Sequence, residues 1–425
     1  MRQLYLFVLF FGIWFSVWSQ DTTLEYFISK GLQNAPSLKE NNNLQKIVEF
    51  QNNIIRAQNN AFQVNATSEI LVAPYFNNNG KFLDITTAPT FNAIGYDIGI
   101  TNGGLYSAQV NITKNLFNKA IVENLLFQNN VANESLALNS EEIAHMLRRN
   151  ITDIYISTFL LQLQEDFTAN IIGDLEKRLI VVELLVKRGI LMESDYLVIQ
   201  LDLVNRKLEQ EQLHNSFKNL YTQLGNLSGV KIIDFKKLVA PNIGIENKRA
   251  SFFYKKRYVN DSVQIAADQK VFENQYKPQV MAYGNSGLNA VEIQNMERKF
   301  GLSAGLRLTI PIYDGKQRKF NELQNKLKYE NLDFYKENFE IQMKNTLEGL
   351  QQQTNTLEDN LGKMEKQLQK QKNILEIYKG KLVQGQVSII DYLNVIQNYK
   401  LMAYTKLQAQ TNLWMLYNQY NFTNW

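Results

Sequence analysis

The chain has 425 residues, and its 45 basic and 41 acidic side chains leave a formal net charge of only +4. The absence of cysteine and the presence of only two histidines exclude disulfides, thiol catalysis and almost every zinc site. Basic residues are interspersed with acidic ones, so no nucleic-acid partner is indicated. We therefore expect a non-enzymatic protein with no catalytic residue, no cofactor and no metal site.

The N-terminus predicts an export signal. Arg2 precedes an apolar run from Leu4 to Trp18, and small or polar residues follow near Ser19. A membrane anchor is the alternative interpretation, but the run is short for a span. We expect residues 1–20 to be a cleaved signal peptide. Because no cysteine is available for lipid attachment, we expect the exported protein to carry no lipid anchor.

A strand pair is predicted after the signal peptide. Val64 to Tyr75 forms the first strand, and the turn residues Asn77-Asn78-Asn79-Gly80 follow it. From Tyr106 to Thr113, apolar and polar residues then alternate. This alternation is typical of a strand whose two faces meet different surroundings.

A very long helix is predicted from Asn118 to Arg188, where no proline occurs. Its apolar residues recur at steps of four and three, the spacing of a coiled-coil seam. The twelve seam positions are 147, 151, 154, 158, 161, 165, 168, 172, 175, 179, 182 and 186, and nine of them are apolar. Periodicity alone favours an ordinary antiparallel coiled coil with a structural role.

A glycine turn is predicted where this seam ends. Gly189 suits the left-handed residue that ends a helix. Asp195 follows six residues later, and its carboxylate favours the start of a return helix.

The second half of the chain repeats this order at an offset of 196 residues. Tyr106 to Thr113 returns as Leu302 to Thr309, and Gly189 and Asp195 return as Gly385 and Asp391. Ten of the twelve equivalent seam positions are apolar in a second long helix, which we expect between Gly315 and Gln384. Pro278 to Tyr283, followed by the turn residues Gly284-Asn285-Ser286-Gly287, is the expected partner of the repeated strand.

The repeat predicts the domain organisation. Residues 21–230 form a first repeat of helix, strand pair and long helical hairpin, with its tip near 189–195. Residues 231–250 form an equatorial linker, and residues 251–425 form a second repeat with its tip near 385–391.

The strands have two interpretations. About eleven alternating residues can span a bilayer as a tilted strand, but a half-buried strand in a soluble sheet alternates in the same way. Four strands cannot close on themselves, and an open edge in lipid leaves backbone groups unsatisfied. A membrane-spanning sheet therefore requires an oligomer, with eight strands from two chains or twelve from three.

The ordered duplicate resembles the TolC-like outer membrane efflux and secretion factors of Gram-negative bacteria. The resemblance is carried by Leu306 to Gly315, leading from strand to helix, and by the two Gly-x5-Asp tips. It implies a mainly α fold with transmembrane β structure. In a homotrimer, long helical hairpins would form a periplasmic α-barrel and four strands per chain a twelve-stranded outer-membrane β-barrel.

The resemblance also implies a function and partners. Such proteins sit among outer-membrane lipid as the exit duct of a tripartite efflux pump or type I secretion system. They conduct substrate passively from an inner-membrane transporter, coupled by a periplasmic adaptor (membrane fusion) protein. The transported substrate is not indicated by the sequence.

The resemblance places the candidate site at the two tips. The implied periplasmic gate residues are Gly189, Asp195, Gly385, Asp391 and Asn394, and the implied adaptor contacts are Lys187, Arg188 and Val387. Two positions depart from the family pattern, because Val387 stands where relatives carry arginine and Asn394 where they carry a second aspartate. We expect closure to depend on packing of Leu382, Ile389 and Ile390 more than on ion pairs.

Other classes remain open. A periplasmic adaptor, or a structural coiled-coil protein of an envelope-spanning complex, also uses a long helical hairpin, although adaptors have one such hairpin. A secreted enzyme would need a catalytic constellation, and no cluster of histidine, cysteine or paired carboxylates supports one.

Overall fold

The computed structural model describes residues 22–72, 74–84, 86, 89–95, 106–246, 252–290 and 296–425, so the expected signal peptide lies outside the described residues. The helices are α1 (Leu24–Asn34), α2 (Pro36–Asn60), α3 (Lys119–Lys187), α4 (Glu193–Ser228), α5 (Phe252–Glu273), α6 (Gln317–Val383) and α7 (Ile389–Thr423). The strands are β1 (Gln63–Ile70), β2 (Tyr75–Asn78), β3 (Lys81–Asp84), β4 (Tyr106–Leu116), β5 (Gln279–Ala290) and β6 (Phe300–Thr309). Short 3-10 turns precede β5 and β6.

The structure contains the internal repeat. The end of α3 and the start of α4, Lys187 and Glu193, have equivalents 196 residues later in Val383 and Ile389. Upstream of the strands the offset is 216, because α2 and α5 begin at residues 36 and 252 and Gln63 and Gln279 hold equivalent registers. The extra 20 residues of the first repeat therefore lie between β1 and β4.

The main sheet has four antiparallel strands in the order β1-β4-β5-β6. Its central pair, β4 with β5, joins the first repeat to the second and aligns Tyr106 with Ala290. Strands β1 and β6 are the edges, and neither has an outer partner among the described residues. An unpaired edge exposes a row of backbone donors and acceptors.

The expected partner strands had the wrong boundaries. The first ends at Ile70, and Tyr75 belongs to a separate hairpin of β2 and β3. In the second repeat, Gly284-Asn285-Ser286-Gly287 is not a turn but lies inside β5, paired with both β4 and β6. Glycine there has a packing reason, since a Cβ at Gly287 would lie 2.2 Å from the Ala108 carbonyl oxygen.

The β2–β3 hairpin accounts for the Asn-rich segment. Asn77, Asn79 and Gly80 adopt left-handed backbone angles, with φ of 59°, 51° and 79°, which asparagine and glycine tolerate best. The side chain of Asn78 is buried and donates to Asp84 Oδ2 at 2.7 Å, while its carbonyl oxygen accepts from the backbone N–H of Thr90 at 2.8 Å. The turn chemistry was predicted correctly, but it serves this small hairpin.

The coiled-coil seams are confirmed by burial. All twelve seam positions of α3 and all twelve of α6 are buried or half-buried. Two polar members occupy equivalent places, because Thr158 and Thr354 are both fully buried. Thr158 satisfies its hydroxyl by donating to the Ile154 carbonyl of its own helix at 2.7 Å.

The chain divides into two compact units. One contains the described residues of Met1–Asn43, Ala137–Arg257 and Phe334–Trp425, and the other contains Leu44–Leu136 and Tyr258–Asp333. No helix within the described ranges combines the length and the apolar character that a bilayer span demands.

Candidate functional sites

The two hairpin turns have the same backbone geometry. After α3, Gly189 has φ of 71°, its N–H donates to the Val186 carbonyl at 2.9 Å, and the N–H of Ile190 donates to the Leu185 carbonyl at 2.9 Å. These two bonds form a Schellman motif, which satisfies carbonyls that a helix end leaves free.

The second turn repeats the motif 196 residues later. Gly385 has φ of 67° and donates to the Leu382 carbonyl at 3.0 Å, while Gln386 donates to the Lys381 carbonyl at 2.9 Å. Nothing within 4 Å of Gly189 would block a Cβ, so the backbone angle, not space, favours glycine there.

Both tip aspartates cap the helices that follow. Asp195 and Asp391 are the third residues of α4 and α7. The Asp195 carboxylate accepts from the Met192 N–H at 3.0 Å, and the Asp391 carboxylate accepts from the Ser388 hydroxyl at 2.6 Å. A negative charge in the first helical turn is favoured by the helix dipole. Capping therefore explains both aspartates without a further role.

The other tip residues predicted from sequence are mostly exposed. Lys187 pairs with Glu183 at 2.7 Å, and this hydrogen bond raises the pKa of the lysine. Arg188 and Asn394 are exposed, whereas Val387 is half-buried against the core between the two hairpins. Exposed side chains suit a contact with a partner, and Val387 presents only part of its surface.

A shared hydrophobic core unites the two hairpins near their tips. It draws on α3, α4, α6 and α7, and its buried members are Ile171, Ile172, Leu175, Val182, Ile199, Leu203, Leu375, Leu382, Ile389, Tyr392 and Ile396. Of the three residues expected to close the tip, Leu382 and Ile389 are fully buried. Ile390 is not part of this packing, since 61% of its surface is exposed in the single chain.

An ion pair also joins the hairpins, which the sequence did not indicate. Asp174 of α3 accepts from Lys379 of α6 and from the Tyr392 hydroxyl of α7, each at 3.1 Å. Burial, followed by the charge of Asp174, raises the pKa of Tyr392, so its hydroxyl remains a donor. Closure near the tips therefore combines apolar packing with a charged hydrogen-bond network.

A second polar network lies farther along the same helices. Glu209 of α4 accepts from Lys400 of α7 and from Arg206, the latter at 3.2 Å. Burial opposes ionisation of Glu209, but the two cations outweigh it and the pKa of the carboxyl lies below its usual value. Burial raises the pKa of Tyr404, a further donor to Glu209, to about 12. Arg206 also donates to Gln397 at 2.8 Å, so the network joins the two hairpins at several points.

Only part of these networks has a sequence signal. Arg206 lies four residues after Asp202 and three before Glu209, spacings that bring charges together on a helix. Lys400 is 191 residues from Glu209, so no local pattern predicts that contact.

One face of the four-stranded sheet is apolar and exposed. The register places these residues on it: Val64, Ala66, Ser68 and Ile70; Tyr106, Ala108, Val110, Ile112 and Lys114; Val280, Ala282, Gly284, Ser286 and Leu288; Phe300, Leu302, Ala304, Leu306 and Leu308. In the single chain Leu302 is 85% exposed and Leu306 71%. Apolar surface of this extent indicates contact with lipid or with another chain.

The opposite face of the sheet is polar. Serine, threonine, asparagine, glutamine and glycine predominate on it, with Tyr283 lying over Gly305. Its only charged residues in the four strands are Glu69, on edge strand β1, and Arg307, on edge strand β6. Such a face suits water, as the apolar face suits hydrocarbon.

Solved structures share this fold. VceC, an outer membrane protein of Vibrio cholerae, is 13% identical and matches with a TM-score of 0.64, covering 94% of each chain. The CmeC outer membrane channel of Campylobacter jejuni is 13% identical, with a TM-score of 0.67 over 94% of this chain and 85% of that one. The MtrE outer membrane channel of Neisseria gonorrhoeae is 14% identical, with a TM-score of 0.66 over 94% and 88%.

These likenesses confirm the TolC-like fold expected from the sequence. No protein-family model and no curated protein sequence matches the chain. At such low identity the solved structures establish the fold, and function has to be argued from the residues of this chain.

Proposed function

We propose that this chain, which has the TolC-like fold of outer membrane channels, is a passive exit duct in the outer membrane. The observation that carries the proposal is the two-faced sheet, with one apolar face and one polar face. A strand that meets lipid on one side and water on the other needs this division.

The free edges of the sheet support assembly into a homotrimer. Backbone groups on β1 and β6 would be unsatisfied in hydrocarbon, where no water can replace a missing partner. A head-to-tail ring pairs β6 of each copy with β1 of the next and leaves no edge. Three copies give twelve strands, the number expected from the resemblance.

The hairpins supply the periplasmic part of the proposed duct. Their tips carry the proposed gate at Asp391 and Asp195, and the exposed Lys187 and Arg188, with the half-buried Val387, are proposed contacts for a periplasmic adaptor. An inner-membrane transporter would deliver the substrate, in either a tripartite efflux pump or a type I secretion system. The signal peptide expected at residues 1–20 would direct export.

Planar-bilayer recording tests the proposed activity. Purified protein reconstituted from detergent should produce stepwise conductance, and cell fractionation should place it in the outer membrane. Protein that remains in the soluble periplasmic fraction and never conducts would instead support the alternative of an adaptor or a structural coiled-coil protein.

A further inference from the structure

The two free edges of the sheet carry opposite charges on the same face. Glu69 on β1 and Arg307 on β6 are exposed, and neither forms an ion pair within the described part of the chain. Arg307 instead lies over the ring of Tyr283, with its guanidinium carbon 5.8 Å from the ring centre. An acidic residue on one edge and a basic residue on the other suit a head-to-tail contact between identical copies.

The chain already contains one example of the junction between successive repeats. Strand β4 of the first repeat pairs with β5 of the second, and Asn111 lies opposite Asn285. The helices beside these strands also meet. The ammonium of Lys270 on α5 lies 4.6 Å from the ring centre of Phe127 on α3, and Gln128 donates to Asp268 at 2.8 Å.

The internal repeat transfers this junction onto the free edges. The 196-residue offset converts Asn111 on β4 into Arg307 on β6. The 216-residue offset, applied in reverse, converts Asn285 on β5 into Glu69 on β1. The same two offsets convert Phe127 and Lys270 into Leu323 on α6 and Ile54 on α2.

We propose that β6 of one copy pairs with β1 of the next in the register that sets Arg307 directly opposite Glu69. The proposal rests on the proposed oligomeric duct and specifies its subunit junction. The register keeps every face consistent, since it also sets Leu306 opposite Ile70 on the apolar side.

The helices beside the edges fit the same junction. Leu323 and Ile54 are 49% and 45% exposed in the single chain, and neighbouring Leu327 and Phe50 are 58% and 65% exposed. The equivalent of Leu327 in the first repeat, Val131, is 7% exposed because it is buried within the chain. A second copy would bury on α6 and α2 what the first repeat already buries on α3.

Cysteine cross-linking tests the register directly, because the natural chain has no cysteine. Full-length protein carrying Arg307→Cys and Glu69→Cys, oxidised in isolated outer membranes, should form covalent dimers and trimers. Leu323→Cys with Ile54→Cys should do the same. The matched control, Ser303→Cys with Glu69→Cys, keeps both thiols on one face but moves them about 13 Å out of register, so it should remain monomeric on a denaturing gel.

Charge reversal supplies an independent measurement. Arg307→Glu or Glu69→Arg alone puts like charges opposite each other and should lower the temperature at which the oligomer dissociates on a gel. The double exchange should restore that temperature. Efficient cross-linking through Ser303 in place of Arg307, in a complex that still conducts, would overturn the register and leave the proposed duct intact. The absence of any oligomer in the membrane would overturn both.

Discussion

At the scale of the residue, Asp391 has two possible roles that mutation can separate. Its carboxylate caps α7 through Ser388, and in an oligomer it could also form a ring of charge. We predict that Asp391→Asn lowers cation selectivity and cation block in single-channel recordings, because carboxylates in a narrow opening attract cations. Ser388→Ala is the matched control, since it removes the cap at a cost of about 1 kcal/mol but keeps the charge. Equal selectivity in the natural protein and in Asp391→Asn would leave the aspartate a helix cap only.

The two glycines near the second tip should respond to alanine with opposite signs. Gly385 has φ of 67°, so Gly385→Ala should destabilise the turn by about 1–2 kcal/mol. Gly380 lies within helix α6 with open space around it, so Gly380→Ala should stabilise by up to about 1 kcal/mol. Thermal loss of the helical circular-dichroism signal measures both. A lower midpoint for both variants would contradict the assigned turn geometry.

The network around Glu209 predicts an acid-sensitive contact between the hairpins. Lys400 and Arg206 overcome the effect of burial and hold the pKa of Glu209 below its usual value near 4.5. A carboxyl with a lowered pKa in the folded state stabilises the protein above its unfolded-state pKa. This stabilisation should disappear as the pH falls through the folded-state value. Unfolding midpoints measured from pH 7 downward should therefore fall less steeply for Glu209→Gln than for the natural protein, and parallel curves would contradict the network.

At the scale of the element, the seam of α3 is the feature that mutation should test first. Leu175 is fully buried, so Leu175→Asp should place a charge without a partner in the core between the hairpins, at a cost of several kcal/mol. Lys177→Asp, at an exposed position on the same helix, is the control. We expect the oligomer to be lost in the first variant and kept in the second. An intact oligomer in both would mean that Leu175 does not pack as observed.

The helices were predictable from sequence, and the strands only in part. A seam repeated over about seventy residues determines helix phase, and the tip glycines and aspartates determine where helices end and begin. Strand boundaries were harder, because Gly284 and Gly287 have the composition of a turn. They lie within β5 since neighbouring backbone approaches too closely for a Cβ at Gly287. The β2–β3 hairpin has no counterpart in the second repeat, so the repeat gave no warning of it.

The contacts between the hairpins could not be predicted, for a different reason. Asp174 and Tyr392 are 218 residues apart, and their pairing depends on how four helices are arranged. Apolar periodicity identifies which face of a helix is buried but not which polar residues meet across the interface. The expectation that closure would depend on packing more than on ion pairs therefore missed Lys379, whose ammonium contacts Asp174.

At the scale of the whole molecule, the fold persists at 12–14% identity because its requirements are patterns. A seam position accepts any apolar side chain of suitable size, and a two-faced strand needs alternation more than particular residues. Turn glycines are more demanding, since left-handed backbone angles disfavour other residues. The duplicated turns were therefore a better guide to the fold than overall similarity.

The central claim is that three chains close one sheet and form the outer-membrane duct. The most direct test is the native mass of the complex extracted from outer membranes in mild detergent, after subtraction of bound detergent. The structure predicts three times the mass of the mature chain, because each chain supplies four strands and two free edges. A membrane-inserted complex that contains a single chain would contradict this account.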